Sequence, residues 1–138
     1  MNLNKRSTYS KFKEYKDLLS EEVIIYVYAE NEEKAFYKTD KIFKYCMKNN
    51  IKVRDVYYDI SKSKDLIDKP SLAKIFCEED NIDIISANSR DICPLATGDY
   101  FDIRRYLKEN NLGVFDLYYK DFYFERAPLL VWSGYCGV

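Results

Sequence analysis

The stretch VIIYVYAENEEKAFYKTDKIFKYC, residues 23–46, decides the fold. Its first seven residues form an almost continuous run of apolar, β-branched and aromatic side chains, which is typical of a central strand buried on both faces. Apolar residues then recur at roughly helical spacing over residues 35–46, which predicts an amphipathic helix. A strand that leads directly into such a helix indicates an α/β protein, and function in these proteins tends to lie at the carboxyl ends of the strands.

The same alternation continues along the chain. IKVRDVYYD (51–59) and IDIISA (82–87) have the character of strands, and KPSLAKIFCEE (69–79) between them predicts a helix opened by proline. DYFDIRRYLKENN (99–111) predicts an amphipathic helix, and LGVFDLYY (112–119) predicts a further strand. We therefore expect a three-layer α/β sandwich with a mostly parallel central sheet of four or five strands in flavodoxin-like order.

The domain organisation follows from these segments. At 138 residues the chain is long enough for one domain with a sizeable core, which we place at residues 22–120. Residues 1–21 are predicted to form an N-terminal arm with one short amphipathic helix. Residues 121–138 are predicted to form a C-terminal tail, since they are too few for a helix-turn-helix domain and Pro128 interrupts any long helix. We expect its apolar segment PLLVW (128–132) to pack on the core, and the alternative is a patch that binds a partner.

Composition excludes several kinds of site. The chain has no histidine, and its four cysteines form no C-x-x-C pair, which argues against a zinc site, a disulfide framework and a histidine base. No glycine occurs before Gly98, so no glycine-rich phosphate turn follows the first strands, which argues against a Rossmann or P-loop nucleotide site. We therefore expect neither a cofactor nor a metal ion.

Net charge and hydropathy bear on two expectations: where the protein is located, and whether it is attracted to nucleic acid or membranes in general. The chain carries 22 Lys and Arg against 23 Asp and Glu, so no global field draws it to nucleic acid or membrane. The start, MNLNKRSTYS, lacks the apolar segment of a signal peptide, and no apolar run approaches membrane-spanning length. The predicted location is the cytoplasm, with no membrane partner.

Polar residues follow the predicted strands in an order that resembles a known family. The segments are YVYAENEEK (26–34) after the first strand, YYDIS (57–61) and KPSL (69–72) after the second, and SRDIC (89–93) after the third. From residue 23 to residue 119 the chain resembles the catalytic domain of serine recombinases, the resolvase and invertase family. In that family the first segment has the form Y-x-R-x-S-T-x-x-Q, a later helix opens with R-P-x-L, and the third strand leads into D-R-L-x-R. The resemblance implies a resolvase-like fold.

The resemblance also implies which positions would carry the family's chemistry. Glu30 stands at the position of the serine nucleophile, where a carboxylate adds like-charge repulsion beside a phosphodiester. The positions of the phosphate-clamping arginines hold Tyr28, Lys69, Arg90 and Cys93. A tyrosine donates a hydrogen bond without charge, a cysteine offers neither, and a lysine lacks the bidentate fork of arginine. The catalytic positions are therefore degenerate, and we expect no strand cleavage.

Further positions complete the candidate site. Ser89 replaces the family's aspartate before the surviving arginine, and the candidates for binding phosphate or DNA are Asp59, Ser61, Lys69 and Arg90. Three of them also have a simpler interpretation from the residues alone. Asp59 and Ser61 fit a turn that satisfies its own backbone, and Arg90 fits an ion pair with a nearby carboxylate.

Three other residue types invite functional interpretations that we do not favour. Glu30 suits the first turn of the following helix, where the dipole is positive, and Cys93 without a histidine is read as an ordinary half-buried thiol. The fourteen tyrosines suggest base stacking. However, Tyr57, Tyr58, Tyr118 and Tyr119 fall inside predicted strands and are interpreted as packing residues.

Three functions stay open on the sequence alone. The preferred one is a catalytically inactive serine-recombinase-like domain associated with site-specific DNA recombination, which binds the DNA backbone, a full-length recombinase or a second copy of itself, or is the remnant of a mobile element. The second is an enzyme with different phosphate-ester chemistry at the strand-end crevice. The third is a flavodoxin-like binding or scaffold module whose likeness to recombinases is coincidental.

Overall fold

The computed structural model describes residues 19–95 and 97–127. Two single-turn 3-10 helices, Leu66–Asp68 and Ser89–Asp91, lie between the main elements. These main elements are, in chain order, β1 (Glu22–Ala29), α1 (Glu32–Lys48), β2 (Lys52–Ile60), α2 (Pro70–Glu78), β3 (Ile82–Ser86), α3 (Tyr100–Glu109), β4 (Leu112–Asp116) and β5 (Asp121–Phe124).

The strands form one sheet in the order β2-β1-β3-β4-β5. β1 pairs in parallel with β2 and β3, β3 pairs in parallel with β4, and β5 returns antiparallel to β4. The expected mostly parallel sheet is confirmed. Because the chain moves from β1 to one side and then returns to the other, the strand order reverses beside β1. The crevice at the carboxyl ends of β1 and β3 is therefore the place where a ligand site is expected.

β1 is an interior strand of the sheet, between β2 and β3, and it is buried as its apolar sequence predicts. Seven of its eight residues are buried, because helices cover both faces of the sheet. Ile24 and Tyr26 belong to the cluster that contains buried residues of α2 and α3, whereas Ile25 and Val27 belong to the cluster under α1. The alternation of side chains along the strand thus produces the three layers.

Local signals place the beginning of α1 close to the crevice. Asn31 is the N-cap residue, and its Oδ1 accepts a hydrogen bond of 2.8 Å from the backbone N–H of Lys34. Glu32 and Glu33 occupy the first turn, where carboxylates stabilise the positive end of the helix dipole. The residues between β1 and α1 therefore form an ordered cap.

The end of β4 differs from the sequence prediction. β4 ends at Asp116, and Tyr118 and Tyr119 lie in the turn that leads to β5, with 70% and 72% of their surface exposed. Their assignment as packing residues inside a strand is wrong. The Asp116 carboxylate accepts the backbone N–H of Tyr119 at 3.2 Å, and Lys120 adopts a left-handed conformation with φ of 54°, so the chain reverses here.

The ends of the chain are described only in part. Residues 1–18 of the predicted arm and residues 128–138 of the predicted tail lie outside the described residues. Residues 121–124, which the sequence assigned to the tail, form the edge strand β5. Within residues 19–95 and 97–127, no helix has the length and apolar character needed to cross a bilayer.

Candidate functional site

Tyr28 is a buried side chain near the carboxyl end of β1. Its hydroxyl donates a hydrogen bond of 2.7 Å to the carbonyl oxygen of Ser61 and lies 3.1 Å from that of Ser63. Burial raises the pKa of Tyr28, so the hydroxyl keeps its proton for these bonds. Tyr28, which the resemblance places at an arginine position, therefore links the loop after β2 to β1 by hydrogen bonds.

Glu30 follows β1 directly and is exposed. Its Oε1 accepts a hydrogen bond of 2.9 Å from Lys34 Nζ, one turn along the helix. This hydrogen bond lowers the pKa of Glu30, with smaller contributions from the charges of Lys64 and Lys62. Glu30, which the resemblance places at the nucleophile's position, is therefore an ionised surface carboxylate.

The crevice between β1 and β3 is filled by the protein's own charged groups. Lys38 Nζ donates to the backbone carbonyl of Tyr28 at 2.7 Å and forms an ion pair of 2.9 Å with the Asp91 carboxylate. Burial raises the pKa of Asp91, and the charge of Lys38 opposes this effect. The Lys38 and Asp91 charges are thus largely satisfied by each other.

Lys69 lies deeper in the same crevice and is 0% exposed. Its Nζ donates a hydrogen bond of 2.8 Å to the backbone carbonyl of Asp91 and lies 4.6 Å from the centroid of the Tyr28 ring. Burial lowers the pKa of Lys69 to about 8. The ammonium group is therefore a cation at neutral pH that is bound inside the protein by a carbonyl and an aromatic face.

Asp59 caps the helix α2. Its Oδ1 accepts the backbone N–H of Ser71, and its Oδ2 accepts that of Leu72, both at 2.9 Å. Oδ2 also accepts a hydrogen bond of 2.8 Å from the hydroxyl of Tyr26. Burial and the charge of Asp59 raise the pKa of Tyr26, so this hydroxyl stays a donor. The residue before Pro70 makes no side-chain cap, so Asp59 performs this role from β2.

Ser61 takes part in the turn that follows β2. Its backbone N–H donates to the carbonyl of Ala29 at 3.0 Å, and its hydroxyl oxygen accepts the backbone N–H of Ser63 at 3.1 Å. The second of these bonds has the pattern of a turn that satisfies its own backbone, and the first links the end of β2 to the end of β1.

Arg90 is the candidate whose charge reaches solvent. It lies on the 3-10 helix after β3, and its backbone N–H donates to Asn88 Oδ1 at 2.8 Å. Its guanidinium group makes no ion pair within the part of the chain that the structure describes. Arg90 is therefore available to an external anion.

The two neighbours of Arg90 in the family pattern are internal. The backbone N–H of Ser89 donates to the Asp116 carboxylate at 2.9 Å, which ties the end of β3 to the end of β4. Cys93 is buried, with its Sγ 3.7 Å from the carbonyl oxygen of Tyr100, and burial raises the pKa of its thiol. Cys93 is therefore a protonated thiol at neutral pH and a poor nucleophile.

Two lysines that the sequence analysis did not single out also lie at this edge. Lys62 and Lys64 are exposed on the loop after β2 and make no ion pair with any residue in the described ranges. Their charges act on Glu30, and the charge of Lys64 also acts on Lys69 and Asp91. The signal in the sequence was the K-S-K pattern immediately after a strand.

The site contains no group of side chains suited to a metal ion in the described part of the chain. No three histidine, cysteine or acidic side chains come together there. What the arrangement offers is a rim of exposed cations, Lys62, Lys64 and Arg90, around a crevice whose interior is already hydrogen-bonded. Such a rim can bind phosphate groups electrostatically.

Comparison with solved structures identifies the fold. The C-terminal catalytic domain of ISC1926 TnpA, an IS607-like serine recombinase, matches with a TM-score of 0.59 and 14% sequence identity, covering 70% of this chain and 67% of that chain. The N-terminal catalytic domain of TP901-1 integrase matches with a TM-score of 0.55 and 16% identity, covering 72% of this chain and 78% of that chain. No protein-family model and no curated protein matches the sequence. The chain therefore has the fold of serine-recombinase catalytic domains, as the resemblance implied.

Proposed function

We propose that this domain acts in site-specific DNA recombination as a catalytically inactive serine-recombinase-like domain that binds the DNA backbone at its strand-end edge. The observation that carries the proposal is the charge and the internal bonding of the side chains in the crevice. An ionised carboxylate, Glu30, occupies the nucleophile's position, and the buried groups Tyr28 and Lys69 are bound within the protein. The shared fold supports the link to recombination.

Inactivity follows from the charge that phosphoryl transfer needs. A transferring phosphate develops negative charge, and catalysis depends on cations and donors placed around it in advance. Here Glu30 adds negative charge, the Tyr28 hydroxyl is bonded to main-chain carbonyls, and Lys69 is 0% exposed. One arginine, Arg90, is left to stabilise the transition state, which is too little for cleavage.

We expect the protein to form no covalent adduct with DNA. A labelled pool of random-sequence duplexes would be incubated with the protein, denatured with detergent and passed through a filter that retains protein. Label above background is expected for an active serine-recombinase catalytic domain assayed in parallel on its own site, but not for this chain. Glu30→Ser is also expected to retain none, because the phosphate clamp is still missing.

One outcome of this assay would overturn the assignment as inactive. If the wild-type chain retained label and Glu30→Gln abolished the retention, Glu30 would be a carboxylate nucleophile. The crevice would then belong to an enzyme with different phosphate-ester chemistry.

The DNA-binding part of the proposal rests on the exposed rim. Lys62, Lys64 and Arg90 carry three positive charges without ion-pair partners in the described residues, so each can replace a counterion on a DNA phosphate. We expect fluorescence anisotropy to show binding of random-sequence duplex DNA that weakens steeply between low and physiological salt. The slope of log affinity against log salt is expected to fall by about 1 for each contacting cation replaced by alanine.

The matched control is Arg105→Ala. Arg105 lies exposed on α3 with Asp102 and Glu109 at 3.4 and 3.9 Å, so its charge is already compensated. We expect Arg90→Ala and the double variant Lys62→Ala/Lys64→Ala to weaken duplex binding, and Arg105→Ala to leave it unchanged. Absence of duplex binding at low salt, or equal loss in all variants, contradicts the DNA-backbone role.

A further inference from the structure

We infer that the cleft beside Arg90 binds an unpaired nucleobase together with its phosphate, so that the domain takes single-stranded DNA in this cleft. The inference rests on the proposed DNA-binding function and adds the form of DNA that is bound. The cleft has a volume of about 610 Å³ and lies at the carboxyl ends of β3 and β4, where β5 begins. A cavity of this size can hold a small organic ligand such as a nucleotide.

The wall of the cleft is aromatic and unusually exposed. Tyr118 and Tyr119 both line it, with 70% and 72% of their surface in solvent, and their ring centroids lie 4.8 Å apart in an edge-to-face arrangement. Leu95, also exposed, extends the apolar surface. Tyr118 and Tyr119 fill no core, so their rings are available to stack on a base.

The backbone that carries these rings is fixed, although the rings are in solvent. The N–H of Tyr118 donates to the carbonyl of Ala87 at 3.1 Å, and the N–H of Tyr119 donates to the Asp116 carboxylate at 3.2 Å. The turn is thereby tied to the loop after β3. Aromatic side chains on a fixed backbone lose little conformational freedom on binding, which favours affinity.

Among the described residues, the cleft is lined by one cation, Arg90, and by two carboxylates, Asp116 and Asp121. Arg90 is the cation among the lining residues, and a guanidinium group can bind a phosphate in bidentate fashion or stack on a ring. The Asp116 carboxylate is occupied by the N–H groups of Ser89 and Tyr119, and Asp121 Oδ1 accepts the N–H of Phe122. Asp121 Oδ2, which these bonds do not use, can accept a hydrogen bond from a base amino group.

The chemistry of the cleft distinguishes single strands from duplexes. In a duplex each base is covered by its stacked neighbours, and a protein reaches only the base edges in the grooves. Exposed aromatic faces can therefore be used only by a base that has left the stack. The rim lysines, Lys62 and Lys64, lie exposed on the loop after β2 and suit the phosphates of either form of DNA.

The test compares labelled single strands and duplexes of the same length by anisotropy. We expect the double variant Tyr118→Ala/Tyr119→Ala to bind the single strand on the order of 10-fold more weakly and the duplex unchanged. Tyr118→Phe/Tyr119→Phe keeps both rings and is expected to bind like wild type. Tyr37→Ala, an exposed tyrosine on α1, is the control away from the cleft.

An abasic single strand separates stacking from phosphate binding. Wild type is expected to bind it as weakly as the double alanine variant binds the normal strand. If the duplex binds but loss of both rings leaves single-strand affinity unchanged, the inference fails and the proposed function stands. If the single strand alone binds, and binding needs the rings, the inference stands and the duplex-backbone role fails. No binding of either DNA overturns both.

Discussion

Replacement of Asp59 by alanine is expected to lower the free energy of unfolding by about 3 kcal/mol while leaving the DNA affinity of the folded protein unchanged. The carboxylate accepts three hydrogen bonds, from the backbone of Ser71 and Leu72 and from the Tyr26 hydroxyl. Alanine leaves all three donors without their acceptor, and the bonds of two of them, the Tyr26 hydroxyl and the Leu72 N–H, are buried. Urea unfolding followed by far-UV circular dichroism measures the loss.

Two further variants separate the contributions of the individual hydrogen bonds to this loss of stability. Tyr26→Phe removes only the hydroxyl, which is expected to cost about 1 kcal/mol because the two backbone bonds to α2 persist. Asp59→Asn keeps one acceptor oxygen, so its stability is expected to lie between that of wild type and that of Asp59→Ala. A contrary pattern, in which Asp59→Ala unfolds like wild type but loses DNA affinity, would restore Asp59 as a phosphate-site residue.

The sequence could predict the fold because the deciding signals are local. The apolar run 23–29 and the helical spacing after it are consequences of burial on both faces of β1 and on one face of α1. The strand ends could be located for the same reason, so the sequence alone places Tyr28, Arg90 and their neighbours at the strand-end edge of the sheet.

The roles of the site residues could not be predicted in the same way. Asp59 caps a helix that begins eleven positions later, and Lys69 is held by a carbonyl and a ring from two other strand ends. Such pairings depend on the packing of the sheet, which no local pattern encodes. The wrong prediction for Tyr118 and Tyr119 has another cause. Two consecutive tyrosines at the end of a strand give the same sequence pattern whether the strand continues or the chain turns there.

Lys69 is expected to give the stability of the protein a distinctive pH dependence. Burial lowers the pKa of this lysine to about 8 in the folded protein, against 10.5 for an ordinary lysine in water. Between these values the unfolded chain holds a proton that the folded protein has released, so this group makes stability rise with pH. Below pH 8 both states are protonated and the contribution is flat.

The measurement is the unfolding free energy of wild type minus that of Lys69→Met from pH 7 to above pH 10. The subtraction is needed because burial raises the pKa of Cys46 to about 11 and that of Tyr57 to about 12. Those two groups make stability fall at alkaline pH in both proteins. We expect the unfolding free energy of wild type minus that of Lys69→Met to increase by about 3 kcal/mol over this pH range.

Lys108→Met on the exposed face of α3 is the matched control for replacing a lysine by methionine away from the crevice. The outcome bears directly on function, because a rising difference means that the Lys69 ammonium stays buried between Tyr28 and Asp91 in solution. It cannot then serve a DNA phosphate without leaving those partners. A flat difference would mean that water reaches Lys69, and the phosphate clamp would regain a second cation beside Arg90.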